Sequence, residues 1–193
     1  MRQQTTLCVA LTAFALSSAA NAAIDFGAAP DGFGVVDTVF GTEATPRHAS
    51  RWFDVEGTEA VRTNWANQAI TFSTAGLAQD SYMLGITAKN DQGPLASNYS
   101  NFQVDVRVNG KQLARRANIL ASDTEWNTLW LAMGDFSGDA NVEVTWKNDS
   151  YRPGVYDANI AFGGVQFAST NAPAPGAAAV ALLAGVAATR RRR

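Results

Sequence analysis

Residues 102–110 constrain the fold more than any other stretch of the chain. Phe102, Val104, Val106 and Val108 alternate with Gln103, Asp105 and Arg107, the period-two pattern of a strand with one buried and one solvated face. Asn109 and Gly110 follow directly, and that pair is the strongest short signal for a two-residue hairpin turn. The return strand then runs over residues 112–120. Ile70 and Phe72 share a face within residues 68–73, and a less regular run covers 82–88. Leu129, Leu131 and Met133 alternate around Trp130, and Val142, Val144 and Trp146 alternate with Glu143 and Thr145. A final apolar run covers residues 160–167. Between the two chain ends no stretch has a helical period. Many short strands separated by turn signals predict an all-β fold, a two-sheet antiparallel β-sandwich. Sandwiches carry their functions on the loops at their ends, so the loops hold the candidate site.

The ends of the chain read as addresses, each built on an apolar helical segment. Residues 1–22 have Arg2 in a short basic region, an apolar run over 7–16, and Ala20, Asn21 and Ala22 before Ala23. That is the layout of a secretory signal peptide with an A-x-A cleavage site. The single cysteine, Cys8, lies inside it, so the processed chain is expected to have neither disulfides nor thiol chemistry. Within residues 170–193, Pro173, Pro175 and Gly176 precede an apolar run over 177–188, then Thr189 and four arginines. The run falls short of the roughly 20 residues that span a bilayer, and its basic flank would stay on the cytoplasmic side. This three-part tail resembles the PEP-CTERM protein-sorting signal of Gram-negative bacteria, with Ala174 where the family usually has a glutamate. The resemblance implies cleavage near residues 173–175 by an exosortase-type membrane enzyme and only transient membrane contact through the tail. It also implies a chain that is secreted or held on the outer cell surface or in the extracellular matrix. A retained C-terminal membrane anchor is the alternative.

Between these ends lie about 150 residues, enough for one domain with a sizeable core. Residues 23–50 read as a loose lead-in with one strand near 34–40, and residues 51–169 as the sandwich. Arg2 and the four terminal arginines account for five of the 15 basic residues, leaving ten against all 17 acidic ones, a net charge of −7. Such a domain has no basic stripe to neutralise phosphates, which argues against nucleic acid as a partner. One histidine, His48, and no cysteine exclude histidine-rich zinc sites and leave a Ser-His-Asp triad only that residue to rest on. His48 reads as a surface residue of the lead-in.

Residues 147–160 connect two strands and hold Asn148, Asp149, Asp157 and Asn159, with Tyr151 and Tyr156 interleaved around a turn at Pro153 and Gly154. Carboxylate and amide oxygens in this density suit a hard cation; calcium takes about 6–8 oxygen ligands. Tyrosines beside such an ion offer a sugar ring a surface. A second polar loop, residues 89–101, repeats the Lys-Asn-Asp order at Lys89, Asn90 and Asp91 and adds Asn98 and Tyr99. Whether the two loops meet is not readable from the sequence. Among the tryptophans, Trp146 shares a face with Val142 and Val144 and belongs to the core, whereas Trp126, after Asp123, Thr124 and Glu125, is open to either role. Asp149 and Asp157 also satisfy the residue types of a glycoside hydrolase, but a small sandwich without long inserted loops offers little room for a deep substrate cleft.

Taken together, residues 82–91, 102–110 and 123–126, with Asn148, Asp149 and residues 156–160, resemble the calcium-dependent carbohydrate-binding modules of the xylan-binding type. These are jelly-roll β-sandwiches. The resemblance implies calcium held by Asp149 and Asp157, the Tyr156 carbonyl, Asn159 supporting the loop, and Asp91 from the second loop. Asn148, Tyr151, Tyr99 and Trp126 are the candidate sugar contacts. Related modules often keep a structural calcium bound by an acidic pair in the first strand and an aspartate in the last. Asp54 and Glu56 match the pair, while residues 162–165 read Phe-Gly-Gly-Val without the aspartate. The expected function is non-catalytic, calcium-dependent binding of a xylan-like polysaccharide outside the cell. The alternative is a matrix or surface protein that uses a calcium-stabilised sandwich only as scaffold.

Overall fold

The computed structural model describes residues 23–172; the signal peptide and Pro173, Pro175 and Gly176 of the sorting motif lie outside the described residues. In chain order the strands are β1 (Gly34–Phe40), β2 (Thr45–Pro46), β3 (Phe53–Asp54), β4 (Val61–Thr63), β5 (Ala69–Asn90), β6 (Asn101–Val108), β7 (Lys111–Leu120), β8 (Asn127–Trp146), β9 (Tyr151–Arg152), β10 (Tyr156–Asp157) and β11 (Ile160–Ser169). Two short 3₁₀ turns are the helical elements among the described residues, and no helix there is long and apolar enough to cross a membrane.

Antiparallel pairing arranges these strands in the expected β-sandwich. In one layer, β11 pairs with the second half of β5 on one side and with β1 and β4 on the other, and β3 extends β4. In the other layer, the first half of β5 pairs with β2 and with the second half of β8, followed by β6 and β7. The long strands β5 and β8 run side by side through both layers. Phe72, Phe102, Val104, Val106, Val142, Val144 and Trp146 of one layer pack with Leu84, Ile86, Phe162, Val165 and Phe167 of the other in a single buried core. The alternation of residues 102–108 is realised as expected, with Phe102, Val104 and Val106 buried and Asn109 and Gly110 both at positive φ.

Two features differ from the pattern read in the sequence. The segments around residues 68–73 and 82–88 are one strand, β5, and those around 129–133 and 142–146 are one strand, β8. Their joining stretches sit where the strands pass between layers, so side chains there are largely exposed on both faces. Register shifts at residues 74–77 and 77–80 interrupt the alternation further. The backbone stays paired while the hydrophobic period disappears. In addition, the strand of the lead-in is built into the sandwich: β1 pairs with β11 along its length and Val39 is buried in the core.

Candidate functional site

β5 ends at Asn90, opposite Ile160 at the start of β11, which brings the two polar loops to the same end of the sandwich. They are joined by their backbones and amides. Asp91 N–H donates to the Asn159 carbonyl (3.0 Å) and Asp157 N–H to the Pro94 carbonyl (3.1 Å). Asn159 N–H donates to Asn90 Oδ1 (2.8 Å) and Asn159 Nδ2 to the Gln92 carbonyl (2.9 Å). Asn90 Nδ2 reaches Gly93 O (2.8 Å) and Asp123 Oδ1 (2.7 Å), tying in the loop before β8. The fit is close at Gly93 (φ +74°), where a Cβ would lie 3.0 Å from Asp157 Cβ and 3.1 Å from its carbonyl oxygen. No bulkier residue enters there without parting the loops.

An aromatic ladder fixes this end to the core. Tyr99 packs edge-on against Phe102 at 5.6 Å, and Phe102 against Trp146 at 6.2 Å. Tyr99 donates its hydroxyl to the Asn148 carbonyl (2.5 Å), and burial pushes that hydroxyl's pKa upward. Asn148 Oδ1 accepts from Gln103 N–H (2.5 Å) and the Trp146 indole N–H (3.1 Å), while its Nδ2 donates to the Asn101 carbonyl (2.8 Å). Asn148 and Tyr99, expected to meet a sugar, also act as braces beneath the loop.

Asp149 and Asp157 lie near enough for the charge of Asp157 to act on Asp149. Burial raises the Asp149 pKa above its ordinary 3.8, and the negative charge of Asp157 raises it further; N–H groups of Ser150 and Ala66 oppose the shift. A buried carboxylate whose ionised form is further destabilised by a neighbouring negative charge is an electrostatic condition that a divalent cation relieves. Asn159 Oδ1 lies buried without a hydrogen-bond partner, an oxygen that coordination would satisfy. Tyr156 sits half-buried on β10 opposite Arg152. Pro94, Tyr151, Arg152, Val155, Tyr156 and Asp157 line a concavity of about 360 Å³, and Tyr151 is 64% exposed. These are oxygen donors of the type a hard cation takes. A larger hollow of about 510 Å³ lies on the flank of the sandwich, between Asp37 and Asp80, away from these loops.

The other expected ligands are placed elsewhere. Asp91 is held in a largely buried ion pair with Arg62 (3.2 Å), so its carboxylate is committed to a cation already present in the chain. Among the described residues no three His, Cys, Asp or Glu side chains cluster, which leaves Asp91 outside the Asp149–Asp157 pair. Asp54 and Glu56 likewise form no such cluster at the β3 edge. Trp126 is half-buried against Ala161 and its neighbours, with Lys89 Nζ 4.8 Å from its ring centroid. His48 is exposed. Trp65, not singled out by its sequence context, proves to be exposed in the turn between β4 and β5 and next to Ala66, whose N–H faces Asp149. Its flanking Asn64 and Asn67 were the available signal that this tryptophan stands in a turn.

Layers, end loops and chain path define a jelly-roll β-sandwich of the kind found among carbohydrate-binding modules. The fold is similar to that of a native family 35 carbohydrate-binding module from Clostridium thermocellum, with a TM-score of 0.50 and 14% identity over 68% of this chain and 95% of that one. Weaker likenesses include the CBM36-1 domain of a multidomain xylanase from the hindgut metagenome of Trinervitermes trinervoides (TM-score 0.48, 10% identity, 68% and 94% covered). Another is a family 36 module in complex with calcium and xylotriose (TM-score 0.41, 11% identity, 69% and 100% covered). At these identities the likeness shows the fold alone. No family model matches the sequence, and no curated protein matches it.

Proposed function

We propose that this protein is a non-catalytic, calcium-dependent polysaccharide-binding module for xylan-like glycans. The observation that carries the reading is that the charge of Asp157 acts on the buried Asp149 within a loop that also holds the unpaired Asn159 oxygen and the exposed Tyr151. Asp149, Asp157, Asn159 Oδ1 and the Tyr156 carbonyl would hold the ion. When bound, calcium supplies coordination positions for a pair of vicinal hydroxyls, so a shallow site suffices to recognise a sugar. Tyr151 offers a flat apolar face to the ring, and the hydrogen bonds of Asn159 to Asn90 and to the Gln92 carbonyl hold the loop in place. The same reading includes export by the signal peptide and processing near residues 173–175 by an exosortase-type enzyme, delivering the module to the outer surface or matrix of a Gram-negative cell.

Calorimetric titration of the purified protein with xylan, in calcium and in chelator, tests the reading. Binding in calcium, its loss in chelator and its loss in Asp149→Ala and Asp157→Ala proteins that still unfold cooperatively are expected. No chelator-sensitive binding to any polysaccharide contradicts it. The scaffold reading draws on one observation, that Asp91, Asn148 and Tyr99 hold the loops together. Calcium that raises the melting temperature while glycans do not bind would favour it.

A further inference from the structure

Charge is spread unevenly over the strands. β6 and β7 carry Arg107, Lys111, Arg115 and Arg116 against a single acidic residue, Asp105, in a domain whose net charge between the chain ends is −7. These four cations are exposed, and none forms an ion pair with another described residue. Asp105 is turned to Lys147 instead (3.9 Å). The other end of the sheet is acidic. Asp54, Glu56 and Glu59 lie in the β3–β4 hairpin, with no cation over residues 53–60. They too are exposed and form no ion pair with another described residue. β3 and β7 are the two terminal strands of the sheet path; β3 is paired through β4 and β7 through β6. Each terminal strand also exposes one large apolar side chain, Phe53 (40%) on β3 and Leu120 (57%) on β7.

We propose that these two ends are the halves of one interface between copies of this chain, the basic β7 edge of one molecule docking on the acidic β3–β4 hairpin of the next. An open strand edge is a template for association, and complementary charge decides which partner it accepts. Two β7 edges brought together would set like charges against each other, which is destabilising, and two hairpins would do the same. Only unlike ends attract, so the contact is head-to-tail and leaves each copy one free end of either kind. A heterologous contact of this sort extends into a row unless its rotation closes a ring. Phe53 and Leu120 add apolar area to the two faces. Exposed ion pairs are individually weak and screened by salt, so association depends on both protein and salt concentration.

The experiment is analytical ultracentrifugation of the purified protein over a range of concentrations, in chelator so that no divalent cation bridges acidic surfaces. In about 0.01 M salt, where the Debye length is about 30 Å, the average mass is expected to climb with concentration above that of one copy. In about 1 M salt, where that length is about 3 Å, a single copy is expected. Two charge-reversed proteins, Lys111→Glu with Arg115→Glu and Glu56→Lys with Glu59→Lys, are each expected to unfold cooperatively and to stay monomeric in low salt. Mixed in equal amounts they are expected to associate again, because one keeps the acidic hairpin and the other the basic strand. A wild type that is monomeric at every concentration in low salt overturns the proposal. Association unchanged by salt or by the reversals overturns it too, as does a mixture that stays monomeric. Mass gained only on adding poly-glutamate also overturns it and assigns β7 to a foreign acidic partner.

Discussion

Asp149 and Asp80 show how single carboxylates set opposite pH dependences in one small domain. The folded Asp149 pKa lies above 3.8. As pH rises from 3.8 to that value, the unfolded chain has released a proton that the native state still holds, so calcium-free stability falls through this window and the cost persists above it. Asp80 behaves in reverse. The Thr170 hydroxyl, with N–H groups of Asn171 and Ser81, holds its pKa at about 2, so its contribution is present above 3.8 and lost as pH falls toward 2. Thermal melts in chelator should therefore show Asp149→Asn more stable than wild type at neutral pH, with the gap closing in acid. Asp80→Asn should be less stable at neutral pH. Calcium should reverse the order for Asp149 alone, since only that carboxylate gains a partner. Asp91 shows what a residue-by-residue reading of the sequence misses. It has the chemistry of a ligand and the right neighbours, but Arg62, distant in sequence, arrives through the β4–β11 pairing and takes its charge.

At the scale of elements, legibility followed burial. β6 was readable because one face is packed and the other wet, and the Asn109–Gly110 turn confirmed its end. The centres of β5 and β8 were not, because they cross between layers with both faces partly open. The loops were readable as candidate cation ligands by composition, yet their meeting depends on β5 and β11 ending opposite each other at Asn90 and Ile160, a long-range register. Composition likewise could not separate Asn148, which braces the loop from below, from Tyr151, which faces solvent. The join itself is sensitive at Gly93. Gly93→Ala places a Cβ against Asp157 at a positive φ and should cost about 1–2 kcal/mol from the left-handed backbone alone, measurable by urea denaturation. It should also weaken calcium affinity in a calcium titration, because the clash displaces a ligand-bearing residue.

For the whole molecule, calcium and glycan are two ligands of one folded state. A ligand at a hundredfold excess over its Kd stabilises by about 2.7 kcal/mol, which for a domain of this size raises the melting temperature by roughly 5–10 °C. A calcium-dependent rise of that order is expected in wild type and absent in Asp157→Ala. Such a rise alone does not separate a sugar site from a clasp, because both bind the ion. The distinction lies in coupling. If sugar hydroxyls complete the coordination of an ion held by Asp149 and Asp157, each ligand must tighten the other by the same factor. The direct measurement is a calorimetric calcium titration of the purified protein with and without saturating xylan-derived oligosaccharide. Calcium binding several-fold tighter in the presence of the sugar, matched by the reciprocal gain in sugar affinity, is the result predicted here. Calcium affinity unchanged by any glycan would contradict it and leave the loop a closed clasp.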